Sequence, residues 1–114
     1  METKFNFKSQ VCTSRVQSEK LLALGLKKET ADMAIYYSDL YGVDRVYVND
    51  IFEEVPSFDI DDIPAWSLNR LIEMVSKTQY PYYVISKMLP IYDALCERIE
   101  WLIKEGYFNK EYLV

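Results

Sequence analysis

From Pro90 to Gly106 the chain reads PIYDALCERIEWLIKEG, and no other stretch so narrows what it can fold into. Ile91, Leu95, Ile99, Leu102 and Ile103 recur at helical spacing, while Asp93, Glu97, Glu100 and Lys104 fill the opposite side. Proline loses no hydrogen bond in a first turn, and glycine tolerates the positive φ of a helix stop. The spacing therefore predicts a helix over 90–105 closed by Gly106. Its apolar stripe must be covered by the rest of the chain. Trp101 falls between the two faces of this helix, near Tyr92, and the tail from Phe108 to Val114 is expected to dock through Tyr107, Phe108 or Leu113.

Two more helices are legible. Ser14-Arg15-Val16-Gln17 has the form of a capping box, in which the serine hydroxyl takes the Gln17 amide and the glutamine reaches back. A helix over about 15–24 follows, stopped at Gly25. Asp61 and Asp62 precede Ile63-Pro64-Ala65-Trp66, where acids favour the positive end of a helix dipole, so a helix over 64–76 is expected with Leu68, Leu71, Ile72 and Val75 on one stripe.

Strand signals lie between the helices. KFNFK (4–8) alternates, with Phe5 and Phe7 on one face. Residues 29–34 suit a short helix and 34–38 suit helix or strand equally; Gly42 marks a turn and Arg45 to Val48 is rich in β-formers. Asn49-Asp50 offers a two-residue hairpin turn returning through Ile51 to Val55, and Tyr80 to Ile85 reads as a turn and an extended segment. The alternation predicts an α+β fold, about three helices packed on a small antiparallel sheet. At 114 residues, with three glycines and four prolines, the chain is expected to be a single domain over 1–114.

The net charge of −5 is unevenly spread: residues 1–28 carry +4, residues 29–69 carry −9, and residues 70–114 carry none. Overall acidity argues against non-specific affinity for nucleic acid or an anionic membrane. The opening METKFNFKSQ lacks an apolar signal core, and no run approaches the roughly 20 apolar residues of a membrane span, so a cytoplasmic location is expected. Cys12 and Cys96, the two cysteines, make no disulfide framework and read as small packed residues.

Chemistry is constrained most by what is missing. The chain has no histidine, which removes the commonest general base, the Ser-His and Cys-His arrangements and most zinc sites. No glycine-rich phosphate loop exists, and no cofactor or metal site is expected. The stretch DIFEEVPSFDIDDIPAW (50–66) holds six acidic residues and no basic one. Asp59-Ile60-Asp61-Asp62 begins like a calcium loop, but Ile63 stands where a ligand should and no glycine follows. Glu53 with Asp59 forms a conceivable acid/base pair, without a visible pocket. A solvated connection with helix-capping acids explains more, and Glu53, Glu54, Asp59 and Asp61 are then candidates for a partner surface, together with Tyr82 and Tyr83 from a set of ten tyrosines. RVQSEKLLALGLKKETADM (15–33) has the outline of a helix-turn-helix, with Arg15, Lys20, Lys27 and Lys28 as phosphate contacts, although Glu29 and Asp32 would repel phosphate.

SRVQSEKLLALGLKKETADM near the start, IPAWSLNRLIEM in the middle and IEWLIKEGYFNKEYL near the end resemble a set of small uncharacterised proteins of gut Bacteroidetes associated with phage or other mobile elements. The resemblance covers both ends of the chain and weakens over about 34–62. It implies a small cytoplasmic protein of mobile-element type and carries no activity or functional residue with it. The expected function is non-enzymatic: an interaction or accessory protein binding an unidentified protein partner or a second copy of itself. The alternative is a nucleic-acid-related role, by helix-turn-helix contact through 15–33 or by acidic mimicry of DNA. An enzyme would need a pocket gathering Asp or Glu with Tyr and Lys.

Overall fold

The computed structural model describes residues 9–48, 61–78 and 88–114. Its elements in chain order are α1 (Arg15–Ala23), a 3₁₀ turn (Lys28–Thr30), β1 (Met33–Ser38), β2 (Val43–Val48), β3 (Ile63–Ala65), α2 (Leu68–Ser76), α3 (Ile91–Lys104) and a second 3₁₀ turn (Lys110–Tyr112). The fold is α+β; the described residues form three helices and a three-stranded antiparallel sheet of order β2-β1-β3. No helix of the described residues is long and apolar enough to cross a membrane.

Helix ends follow local chemistry. The capping box at Ser14 is complete: its Oγ accepts from the Gln17 N–H at 3.2 Å, and the Gln17 side chain accepts from the Ser14 N–H at 2.9 Å. Past α1, Leu26 N–H donates to Leu21 O and Gly25 N–H to Leu22 O, the paired bonds of a Schellman stop, with Gly25 at φ 105°. The same pair closes α3, where Tyr107 donates to Leu102 O and Gly106, at φ 78°, donates to Ile103 O. The core forms on these helices. Leu21 of α1, Leu71 and Val75 of α2, and Leu95, Ile99 and Leu102 of α3 enclose Trp66 and Phe108. Ile91 lies outside this core and is exposed, while Tyr92 takes the buried place at the start of α3. The tail docks as expected through Phe108 and Leu113, the latter bridging to Leu26, whereas Tyr107 stays outside and stacks 5.7 Å from Trp101.

One helix starts later than its acids suggest. Ile63–Ala65 is the strand β3, paired with β1 through Met33↔Ala65, Ala34↔Pro64 and Ile35↔Ile63. A residue before proline is pushed out of the helical region, which sends Ile63 extended, and β3 is an outer strand where Pro64's missing N–H is tolerated. The helix begins at Leu68 with Ser67 as its cap, so Asp61 and Asp62 do not cap it. Residues 34–38 are strand. The short helix suggested for 29–34 is one 3₁₀ turn, because Ala34 and Ile35 pair in the sheet centre and are buried. The strand at 4–8, the Asn49-Asp50 turn with its return strand 51–55, and the extended segment 80–85 lie outside the described residues.

Trp66 joins the helices to the sheet. Its indole N–H donates to Thr30 Oγ1 at 3.0 Å; its backbone N–H donates to Thr13 Oγ1 at 3.0 Å, and its carbonyl accepts from the Thr13 N–H at 2.9 Å. Thr13 Oγ1 also pairs with the buried Ser18 hydroxyl at 2.7 Å. Thr13→Val keeps the shape but leaves the Trp66 N–H without its acceptor and the Ser18 hydroxyl without its hydroxyl partner. It is expected to lower unfolding stability by about 1–3 kcal/mol in urea titrations, against roughly ±0.5 kcal/mol for the exposed Val16→Ala.

Candidate functional site

Several exposed apolar side chains of the described residues lie on the hairpin of β1 and β2. The strands pair from Met33↔Val48 to Ser38↔Val43 and turn through residues 39–42. Gly42 takes φ 65°, and its N–H closes the turn on Ser38 O at 2.7 Å. Solvated turns are ordinarily polar, yet Leu40 and Tyr41 sit at this tip. Tyr37, Leu40, Tyr41, Val43, Val46 and Val48 are between 42% and 84% exposed, far more than a hydrophobic core or an ordinary half-buried strand would leave in water.

Pairing sorts the hairpin into two faces. Met33, Ile35 and Tyr37 share one face with Val48, Val46 and Asp44. Its inner part packs on Cys12, Ile63 and Ala65 as a small second cluster. Beside it opens a cleft of about 350 Å³, with Cys12, Ile35, Val46, Arg15 and Asp44 among its walls. The opposite face carries Tyr36 and Tyr47, rings 5.8 Å apart, and Arg45, whose guanidinium lies 4.8 Å from the centre of the Tyr41 ring. Tyr47 OH donates to Asp62 at 2.6 Å, so this acid serves the sheet.

A fork-shaped ion pair ties the hairpin to α1. Arg15 Nε and Nη2 donate to the two Asp44 oxygens at 2.9 and 2.6 Å. A cation at a helix N-terminus opposes the helix dipole, and Asp44 offsets it from across the chain. The contact raises the Arg15 pKa and lowers that of Asp44, chiefly through the hydrogen bond itself.

The residues singled out in the sequence separate in space. Glu53, Glu54, Asp59, Tyr82 and Tyr83 lie outside the described residues, and with them the Glu53–Asp59 pair. Asp61 is exposed in the turn before β3. Arg15 is held by Asp44, and Lys20 meets Glu100 at 3.0 Å, a carboxylate shared with Lys104 at 2.9 Å. Lys28 is exposed on the 3₁₀ turn, and Lys27 is half-buried with its N–H on Tyr112 O. A helix-turn-helix needs a second helix after Gly25, and the chain makes a three-residue turn and a strand there. Among the described residues no three Asp, Glu or Cys side chains converge to hold a metal. The hairpin surface itself was missed in the sequence. Its signal was LYG with Val43, Val46 and Val48 around it, apolar residues where a turn and an outer strand ordinarily carry polar ones.

No family model matches the chain, and no curated protein or solved structure matches it significantly.

Buried titratable groups lie away from the hairpin tip. Burial pushes the Cys96 thiol up from 9.0 to about 11, with Asp93 adding and Lys20 opposing. Burial raises Cys12 as well, followed by the charge of Asp32, and burial raises Tyr92. Both cysteines are free, buried thiols whose protons are held tightly, which makes them poor nucleophiles at neutral pH. The unfolded chain releases these protons first as pH rises. The contribution of the Cys96 thiol to stability is thus complete below pH 9.0 and falls away between 9.0 and about 11. The thermal midpoint should fall across that window, and Cys96→Ala should make the fall shallower; an unchanged slope in the variant would contradict the assignment.

Proposed function

We propose that the chain is a non-enzymatic interaction or accessory protein, cytoplasmic and of the mobile-element kind its resemblance points to, and that it binds protein through the hairpin 37–48. The observation that carries this reading is that six apolar side chains on and around β2 are exposed, with Tyr37, Val46 and Val48 together on one face of the hairpin. Exposed apolar patches of this density mark interaction surfaces, and tyrosines beside an arginine are the residues that supply contact energy at such surfaces. The nearby basic residues favour protein over nucleic acid, because Arg15 and Lys20 already face carboxylates within the fold.

The test uses tagged chain to capture proteins, including untagged copies of itself, with and without nuclease. Capture should survive nuclease and be lost in Tyr41→Lys/Val46→Lys, with circular dichroism unchanged. Capture that vanishes with nuclease and persists in the hairpin variant would move the function to nucleic acid.

A further inference from the structure

We infer that β2 is a strap, which opens and closes as a unit on the folded remainder of the chain, and that the Arg15–Asp44 fork is the latch that holds it closed. The inference goes beyond the interaction reading above and does not depend on it. Burial sets β2 apart. Five of its six residues are exposed and Tyr47 is half-buried, and none of them belongs to either core cluster. β1 differs. Ala34 and Ile35 are buried, Met33 and Ile35 pack with Cys12, Ile63 and Ala65, and residues 33–35 pair with β3 on the side away from β2. Taking β2 away therefore leaves β1 anchored. A segment with few buried apolar contacts and exposed backbone bonds opens at a lower free energy than the core does.

Side chains hold β2 at two points. Tyr47 OH donates to Asp62, and Arg15 closes on Asp44 with two bonds, at 2.9 and 2.6 Å. Among the described residues this fork is the one ion pair that joins the sheet to a helix; the other three join α1 to α3 or stay on one helix and its cap. Arg15 opens a helix whose Ser14 cap is complete, so the fixed side of the latch is α1 and the moving side is β2. The two side chains are 37% and 40% exposed, so water and salt compete for the fork and leave it weak enough to open. Opening has a structural consequence. Val46 pairs with Ile35 in the sheet, and Val46, Asp44 and Arg15 wall the cleft that Cys12 and Ile35 also line. When β2 leaves, Ile35 loses that neighbour and the backbone groups of β1 that faced β2 lose their partners. An unpaired strand edge of this kind pairs readily with another strand.

The test is hydrogen exchange of single backbone amides, followed by NMR on the full chain at neutral pH. After correction for intrinsic rates, the amides of 43–48 that bond to β1 should exchange at least about a hundredfold faster than those of Leu95, Ile99 and Leu102 in α3. Asp44→Asn should raise exchange in β2 about two- to fivefold and leave the α3 amides unchanged. Arg15→Gln should act alike, and the double variant should open no further than either single one. About 1 M sodium chloride should do to the unmodified chain what Asp44→Asn does, which keeps the latch testable if a variant folds poorly. Lys77→Gln, which breaks the ion pair with Glu73, should change nothing at β2. If β2 exchanges no faster than α3, it opens only when the whole chain unfolds and the inference falls. It falls too if Asp44→Asn leaves β2 unchanged, if that variant speeds α3 by the same factor, or if the two single effects add in the double variant.

Discussion

Trp66 is the residue on which the rest of the structure depends. It follows β3 directly and precedes the cap of α2, so its position fixes where sheet ends and helix begins. It is completely buried, which makes its ring the largest single block of the core. A buried indole N–H and a buried backbone amide are costly unless paired, and Thr30 and Thr13 pair them. Those threonines come from either side of α1, so satisfying one tryptophan pulls three segments together. Asp32 extends the lock. It accepts from the Ser67 N–H at 2.8 Å and from the Ser67 hydroxyl, and Ser67 caps α2.

That arrangement spends the apolar faces of the helices and of the inner sheet on one another. Phe108 and the tail close the remaining side against Leu26. β1 is shared between the second cluster and its neighbours, but β2 lies beyond it and gains little cover. β2 is therefore held by backbone pairing to β1, by Arg15–Asp44 and by Tyr47–Asp62. Its valines and tyrosines are left over after the core is complete. A strand built from β-formers thus contributes no residue to either core cluster.

Elements set by short-range rules were readable. The Ser14 box, the glycine stops at 25 and 106, and the α3 stripe each rest on groups within a few residues of one another. The helix expected from 64 shows where such rules mislead. Acids before proline look like a cap, yet Ile63 before Pro64 favours extended backbone, and the free strand β1 offers it pairing. Ser67 was the true cap, and Asp32, which holds it, is distant in sequence. The candidate site was less readable. Glu53, Glu54, Asp59, Tyr82 and Tyr83 fall outside the described residues. The paired roles of Arg15 and Lys20 depended on Asp44 and Glu100, neither of which any local pattern links to them.

By itself the sequence determined that this is an α+β chain without histidine chemistry, with a serine cap at Ser14 and glycine stops at Gly25 and Gly106. Periodicity and capping decide these matters because they act over one turn of backbone. The tertiary structure alone decided that Thr13 and Thr30 serve Trp66, that Asp62 serves Tyr47, and that β2 remains outside. Burial is a property of the whole packing. A valine in β2 and a valine in α2 have the same chemistry, and only the placement of Trp66 and its three helices left Val46 in water and Val75 in the core.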